Sequence, residues 1–203
     1  TATPVPSDIY ILHILDASNS MMQSIGSQSK FAVAQASLSR YLQSLDPTIN
    51  AGLLVFGHKK STVDDSTCEE ANVELLVPMQ AGSTSSIQQT LQTLSAKGKS
   101  PLEIAIKTSY QQFRPYHPDW ANALIVIADG GDNCGGDPLD PIQNNQEVGR
   151  MLPVYIVGLD VEDADRKQLV HIADETGGAY RSVSGIEDMV RVLDEFVEMI
   201  RQQ

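Results

Sequence analysis

This chain is predicted to adopt an α/β fold with a doubly wound sheet, because short apolar runs alternate with stretches of helical periodicity. The apolar runs are typical of buried parallel strands, and the helical stretches are typical of crossover connections that cover both faces of a sheet. No helix is predicted between the second and third strands, so this pair is expected to be antiparallel. The prediction is a mostly parallel six-stranded sheet with one antiparallel edge strand and helices on both faces.

Each predicted element rests on periodicity and on the residues that bound it. The first helix repeats apolar side chains through Phe31, Leu38 and Tyr41, and Asp46-Pro47 ends it; Pro78 is expected to close the third strand. The strands are predicted at residues 9–15, 50–56, 73–77, 122–128, 153–158 and 179–183. The helices are predicted at residues 30–45, 85–94, 102–113, 143–151, from 163 or 165 to 176, and 187–203.

The composition indicates one globular domain, since hydrophobic residues make up 41% of the 203 residues. Residues 1–7 are expected to be a linker or a trimmed mature terminus, and residues 8–203 the domain. No apolar run approaches the roughly 20 residues needed to cross a bilayer, so no transmembrane segment is predicted in this chain. The formal net charge of −12 argues against nucleic acids and anionic membrane surfaces as partners.

The most informative stretch is Asp16-Ala17-Ser18-Asn19-Ser20, which directly follows the first strand. In an extended segment Asp16, Ser18 and Ser20 leave the same side of the backbone, and three small oxygen groups suit Mg²⁺, Mn²⁺ or Ca²⁺. The alternative is a polar turn that caps the next helix. Two further polar loops, at Ser100 and Asp129, favour the metal because they lie at a helix start and at a strand end, where open α/β sheets bind ligands.

These three loops resemble the metal-ion-dependent adhesion site of the von Willebrand factor type A domain, and the resemblance covers essentially the whole chain from Asp8 onward. Asp16, Ser18 and Ser20 match its D-x-S-x-S motif, and Asp129 matches the aspartate of its D-G motif. Ser100, within G-K-S-P-L, occupies the place of the usual threonine. Serine lacks the γ-methyl group that stiffens threonine, so a lower metal affinity is expected.

The resemblance implies a role for each of these residues. Ser18 and Ser20 would bind the ion directly, and Ser100 directly or through water, while Asp16 and Asp129 would act largely through water. It implies Mg²⁺ as the ion, with Mn²⁺ as a substitute and Ca²⁺ possible. The coordination would be completed by an Asp or Glu carboxylate from a protein partner. The expected function is a metal-dependent, adhesion-type protein-binding module, either by itself or as part of a larger protein.

The two cysteines, Cys68 and Cys134, both lie in polar loops. Sequence spacing alone leaves open both a disulfide and two free thiols. A narrower resemblance, to a bacterial secreted subgroup of the family, implies that the two are paired. A disulfide would in turn indicate an extracellular or periplasmic location.

Two other classes of function compete with this interpretation. An intracellular von Willebrand-type adaptor of an ATPase complex would be favoured by reduced cysteines. A Mg²⁺-dependent phosphotransfer enzyme is disfavoured because Ser18 stands where dehalogenase-type enzymes need a second aspartate. No residue pairing in the sequence resembles a nucleophile with its base, so the protein is not expected to be an enzyme.

Some polar side chains outside these motifs are given structural interpretations. His13 is expected in the core or an interface, and His58 in a loop that could lie near the metal face. Two acidic groups are expected to form turns and helix starts, although a second cation site is the alternative for the first group. The first group is Asp132, Asp137 and Asp140, and the second is Asp160, Glu162, Asp163 and Asp165.

Overall fold

Six strands form one mixed sheet in the computed structural model, which describes residues 8–113, 115–117 and 119–203. The strands are β1 (Ile9–Asp16), β2 (Asn50–Phe56), β3 (Val73–Gln80), β4 (Ala121–Ala128), β5 (Val154–Leu159) and β6 (Tyr180–Val183). Their order is β3-β2-β1-β4-β5-β6, and only the edge strand β3 is antiparallel to its neighbour. The predicted fold class is therefore confirmed, whereas the predicted tail 1–7 lies outside the described residues.

Helices cover both faces of the sheet, and β1 shows how the sequence assigns them. Ile11 and Leu15 pack in one apolar cluster with the first, second and sixth helices, while Leu12 and Ile14 pack in the opposite cluster with the third, fourth and fifth helices. This alternation is the two-residue period of a strand buried on both faces. The helices are α1 (Lys30–Ser44), α2 (Thr84–Leu91), α3 (Leu102–Gln112), α4 (Leu139–Gln146), α5 (Asp163–Thr176) and α6 (Ile186–Ile200).

The sheet order brings the carboxyl ends of β1 and β4 together. Leu15 pairs with Ile127 in the parallel ladder, so Asp16 at the end of β1 lies beside the loop that follows β4. The order in which the chain adds strands to the sheet reverses here: β2 and β3 extend the sheet outward from β1, whereas β5 and β6 extend it in the opposite direction from β4. Such a switch point leaves a crevice at the carboxyl edge where open α/β sheets bind ligands.

Three predicted elements have different boundaries in the structure, and prolines lie in two of them. Pro78 does not end β3, which continues to Gln80, since an edge strand tolerates a residue without an N–H group. The fourth helix occupies Leu139–Gln146 rather than residues 143–151. Pro141 lies in its first turn, where no amide is needed, and Asp137 Oδ1 accepts a bond from the Leu139 amide at 3.0 Å. The second helix, predicted at 85–94, also ends earlier, at Leu91.

His13 is a core residue, as one of the two sequence interpretations predicted. Its Nδ1 donates to the Gly52 carbonyl at 3.0 Å, so its Nε2 accepts from the Tyr41 hydroxyl at 3.3 Å. Burial lowers the pKa of His13 to about 4, and the neutral ring is therefore the stable form at neutral pH. None of the helices within the described residues has the length and apolar character that a membrane crossing requires.

Candidate metal centre

The first loop of the site begins where β1 ends. The Ser18 amide donates to Asp16 Oδ1 at 2.7 Å, which turns the chain out of the strand. A single 3₁₀ turn, Asn19–Met22, follows, and its Met21 is fully buried. The chain is thus not extended through the whole motif, yet the hydroxyls of Ser18 and Ser20 still lie 2.9 Å apart. The buried methionine anchors the turn that brings these two hydroxyls together.

Backbone hydrogen bonds tie this loop to the segment before α3. The Gly98 carbonyl accepts from the Asn19 amide at 2.8 Å, and the Gly98 amide donates to the Gly57 carbonyl at 2.7 Å. The chains approach so closely that a Cβ on Gly57 would lie 2.7 Å from the Ser18 nitrogen, and Gly57 also has a φ of +77°. A Cβ on Gly98 would lie 2.7 Å from the Lys60 carbonyl oxygen. Glycine is required at both positions for the two loops to meet.

The loop after β4 holds the Ser100 segment from the other side. Asn133 Oδ1 accepts from the Ser100 amide at 2.7 Å, and the Asn133 amide donates to the Ser100 carbonyl at 3.1 Å. Asp132 Oδ2 accepts from the Glu103 amide at 3.0 Å, which satisfies a free amide in the first turn of α3. Asn133 and Asp132 together fix the position of Ser100, which is only 3% exposed.

Asp129 joins the first loop to the start of α1. Its Oδ1 accepts from the Ser20 hydroxyl at 2.8 Å, and its Oδ2 accepts from Lys30 Nζ at 3.1 Å. Both charged side chains are almost completely buried, with relative exposures of 4% for Lys30 and 1% for Asp129. Lys30 Nζ also donates to Gln23 Oε1 and to the Asp160 carbonyl, each at 3.3 Å.

Asp16 is the least satisfied polar side chain of the site. It is fully buried, and its Oδ2 has no hydrogen-bond partner among the described residues. Burial, and then the negative charge of Asp129, raise the pKa of Asp16 to about 7, although the nearby hydroxyls of Ser18 and Ser100 act in the opposite direction. An ionised carboxylate at this position requires a positive neighbour. The donor set around it, hydroxyls and carboxylates, fits a hard divalent cation.

The two cysteines form a disulfide between Cys68 and Cys134, as the resemblance to secreted relatives implied. Cys68 ends a 3₁₀ turn in the segment between β2 and β3, and Cys134 follows Asn133 in the loop after β4. Next to Cys68, Thr67 Oγ1 accepts from the Lys99 amide at 3.2 Å. The disulfide and this hydrogen bond connect the 57–72 segment to both loops that hold Ser100 and Asp129.

The structure brings the predicted site residues together and adds two that the sequence did not single out. Asp16, Ser18, Ser20, Ser100 and Asp129 all lie at the carboxyl edge between β1 and β4. Lys30 and Asn133 contact them but belong to no motif. For Lys30 a signal was available, because a lysine at the first position of a helix opposes the helix dipole. Asn133 offered none, since its role depends on the approach of two distant loops.

Other predicted polar groups lie outside the centre. His58 Nε2 is 3.1 Å from Glu74 Oε2 on β3, which makes it a loop histidine paired with a carboxylate. Asp132 Oδ1 accepts from the amides of Cys134 and Gly136, a turn role rather than a second cation site. Across the described residues, no group of three or more His, Cys, Asp or Glu side chains could hold a metal ion together.

An open cleft of about 370 Å³ gives access to this edge from solvent. Its walls carry many polar groups and mix both signs of charge. The lining residues are Ser20, Gln23, Lys30, Asp129, Asn133, Asp160, Val161, Glu162 and Asp165.

Comparison with known proteins defines the class. Residues 8–196 match the von Willebrand factor type A domain family, and the chain belongs to that family. The uncharacterized protein YwmD of Bacillus subtilis (strain 168) is 24% identical over 183 residues, which cover 90% of this chain and 82% of YwmD.

Solved structures share the fold at low sequence identity. The pilus adhesin SpaC of Lactobacillus rhamnosus GG aligns with a TM-score of 0.72 and 14% identity, over 96% of this chain and 30% of SpaC. The manganese-loaded TRAP protein of Plasmodium vivax aligns with a TM-score of 0.68 and 13% identity, over 96% of this chain and 75% of TRAP. At these identities the likeness demonstrates a shared fold.

Proposed function

We propose that this domain binds a protein partner through a divalent cation held at the carboxyl edge between β1 and β4. The observation that carries the proposal is Asp16, a buried carboxyl with one oxygen lacking a partner among the described residues, placed beside the hydroxyls of Ser18 and Ser100; the Ser20 hydroxyl lies 2.9 Å from that of Ser18. A buried polar atom of this kind is costly unless something satisfies it. A cation with ordered water would satisfy it.

The proposed ion is Mg²⁺, which Mn²⁺ or Ca²⁺ could replace. Ser18 and Ser20 would bind it directly, Ser100 directly or through water, and Asp16 and Asp129 would orient water and supply negative charge. The manganese-loaded TRAP structure, which has the same fold, supports a divalent ion as the occupant. Mg²⁺ usually retains several water ligands, so a site with few protein ligands suits it.

A partner carboxylate would complete the coordination. Neutral hydroxyls remove little of the positive charge of a divalent ion, and an exchangeable water can be replaced by an Asp or Glu oxygen. The open cleft beside Ser20 and Asp129 provides the space for such a side chain. The role proposed is therefore binding rather than catalysis, and the SpaC adhesin shows that a protein with this fold serves in attachment.

The disulfide supports an extracellular or periplasmic location for this function. Disulfides persist in oxidising compartments and are rare in the reducing cytosol. The Cys68–Cys134 bond therefore favours a surface or secreted binding module over an intracellular adaptor of an ATPase complex.

Affinity capture from native extracellular material tests the proposal. The immobilised domain is exposed to the same material in Mg²⁺ and in EDTA, and an Asp16→Asn variant serves as the matched control for the site. We expect a partner that is retained only by the wild-type domain in Mg²⁺. A partner retained equally in EDTA, or equally by a folded Asp16→Asn variant, would show that binding uses another surface.

A further inference from the structure

Lys30 places a buried positive charge directly beside the candidate metal centre. Its ammonium group lies 3.1 Å from Asp129 Oδ2 and also donates to Gln23 Oε1 and the Asp160 carbonyl. The residue is only 3% exposed, and burial is costly for a lysine, which is almost never fully buried unless it is paired. It also occupies the first position of α1, where the helix dipole disfavours a cation. These three contacts, of which only Asp129 carries an opposite charge, offset both costs.

This contact changes the charge of the site that a cation meets. With a divalent ion bound and both carboxyls ionised, Asp16 and Asp129 carry two negative charges, and Lys30, 3.1 Å from Asp129, cancels one of them. The residue set then has one net negative charge, and a bound divalent ion leaves one net positive charge. A single partner carboxylate neutralises that charge. Asp160 is the next nearest carboxylate, at 4.0 Å from Lys30 Nζ, but its side chain is 72% exposed and is therefore screened by solvent.

We propose that Lys30 is a specificity-determining residue of the site: it lowers the affinity for the free cation and raises the affinity of the metal-bound site for a carboxylate. The inference rests on the proposed function, since it concerns the same ion. Without the lysine, Asp16 and Asp129 would neutralise a divalent ion fully, and an incoming carboxylate would meet no net positive charge. Lys30 thus couples retention of the metal to occupancy by an acidic partner.

A purely structural role for Lys30 makes a different prediction. If the lysine only holds Asp129 in position, then its loss would disorder that carboxylate and weaken cation binding. If it acts through its charge, then its loss strengthens cation binding. Loss of Lys30 would also leave Asp129 Oδ2 buried without its ammonium partner, and this unpaired oxygen would attract a cation more strongly. The sign of the change in affinity therefore separates the two roles.

The experiment uses four variants of the whole domain with its disulfide intact. Lys30→Met and Lys30→Gln both remove the charge. The glutamine retains a hydrogen-bond donor, so this variant serves if Lys30→Met does not fold. Lys30→Arg keeps the charge. Lys107→Met removes the same charge from an exposed position on α3 and is the matched control. Isothermal titration with Mg²⁺ measures cation affinity, water-proton relaxation of the Mn²⁺-loaded protein measures displacement of water by acetate, and circular dichroism confirms folding.

We expect the two uncharged Lys30 variants to bind Mg²⁺ on the order of tenfold more tightly, and their Mn²⁺ forms to bind acetate correspondingly more weakly. Lys30→Arg and Lys107→Met should resemble the wild type. Equal or weaker Mg²⁺ binding by the folded uncharged variants, or unchanged acetate binding, would overturn the inference while leaving the metal site intact. A wild-type domain that binds neither Mg²⁺ nor Mn²⁺ would instead overturn the proposed function together with this inference.

Discussion

The hydroxyl of Ser20 donates to Asp129 Oδ1 at 2.8 Å although 109 residues separate the two in sequence. Neither residue reaches the other through local structure. The contact exists because β1 and β4 are parallel neighbours whose carboxyl ends lie at one edge of the sheet. Disulfide and backbone bonds then hold the surrounding loops in place. This preformed arrangement is the physical basis for the predictions that follow.

Loss of the Ser18 hydroxyl should weaken partner binding in Mg²⁺. Ser18→Ala removes a proposed direct metal ligand, and a contact at the centre of a desolvated interface typically contributes about 2 kcal/mol or more. The measurement is titration of the captured partner against the folded variant. Ser85→Ala, an exposed serine on α2, is the matched control and should bind like the wild type. Undiminished binding by Ser18→Ala would remove Ser18 from the interface.

Asn133→Ala should weaken Mg²⁺ binding without unfolding the protein. Asn133 is exposed, but its Oδ1 accepts a hydrogen bond from the Ser100 amide at 2.7 Å. Groups that orient metal ligands typically contribute about 10- to 100-fold in metal affinity. Calorimetric titration gives the affinity, and thermal unfolding confirms the fold. Asn144→Ala, at an exposed position on α4, is the control. Equal Mg²⁺ affinity in both variants would mean that Ser100 is positioned without Asn133.

Removing the disulfide should destabilise the domain and loosen the site. For cysteines separated by 66 residues, the chain-entropy estimate is on the order of 4 kcal/mol. The Cys68→Ala/Cys134→Ala double variant should therefore unfold at lower urea concentration and bind Mg²⁺ more weakly, because the loop of Asp129 loses its covalent link to the 57–72 segment. An unchanged urea midpoint with an unchanged m-value would contradict this expectation.

The buried histidine should make stability fall in mild acid. The pKa of His13 is lowered to about 4 in the folded protein from an ordinary value of 6.5. A depressed histidine pKa means that its stabilising contribution is complete above about 6.5 and is lost as the pH falls through about 4. Over that window the loss should be on the order of 1 kcal/mol per pH unit.

Comparison of wild type with His13→Phe by urea unfolding in EDTA isolates this effect. The wild type should lose stability relative to His13→Phe as the pH is lowered from 7 to 4, because only the unfolded wild type gains a proton at residue 13 over this range. His171→Phe, at an exposed position on α5, should keep the pH dependence of the wild type. A stability difference that stays constant across this range would show that His13 does not resist protonation.

Much of the fold was predictable because its signals are local. Buried parallel strands leave continuous apolar runs, and β2 begins and ends where the sequence places it, at Asn50 and Phe56. Two of the wrong boundaries fall near Pro78 and Pro141, where position decides whether a proline is tolerated. An edge strand and a first helical turn both leave an amide unused, and neither location can be recognised before the topology is known.

The site was predictable as far as its motifs extend. Asp16, Ser18, Ser20, Ser100 and Asp129 follow a family pattern, and the structure places them at one edge, although their binding of a metal remains a prediction. Lys30 and Asn133 belong to no motif: the helix start marked Lys30 as unusual but not its contact with Asp129, 99 residues away, and nothing marked Asn133, whose contact with Ser100 spans 33 residues. Such contacts depend on how loops meet, which no local pattern encodes.

Calorimetric titration of the metal-free domain with Mg²⁺, in parallel with Asp16→Asn, tests the central claim most directly. The variant keeps the shape of the buried side chain and removes its charge. We predict saturable binding by the wild type, a higher thermal midpoint that reflects about 2.7 kcal/mol of stabilisation at a hundredfold excess over Kd, and loss of most of both in the variant. Equal Mg²⁺ binding by the wild type and the folded variant, or none by the wild type even with Mn²⁺ in place of Mg²⁺, would contradict the assignment of the site.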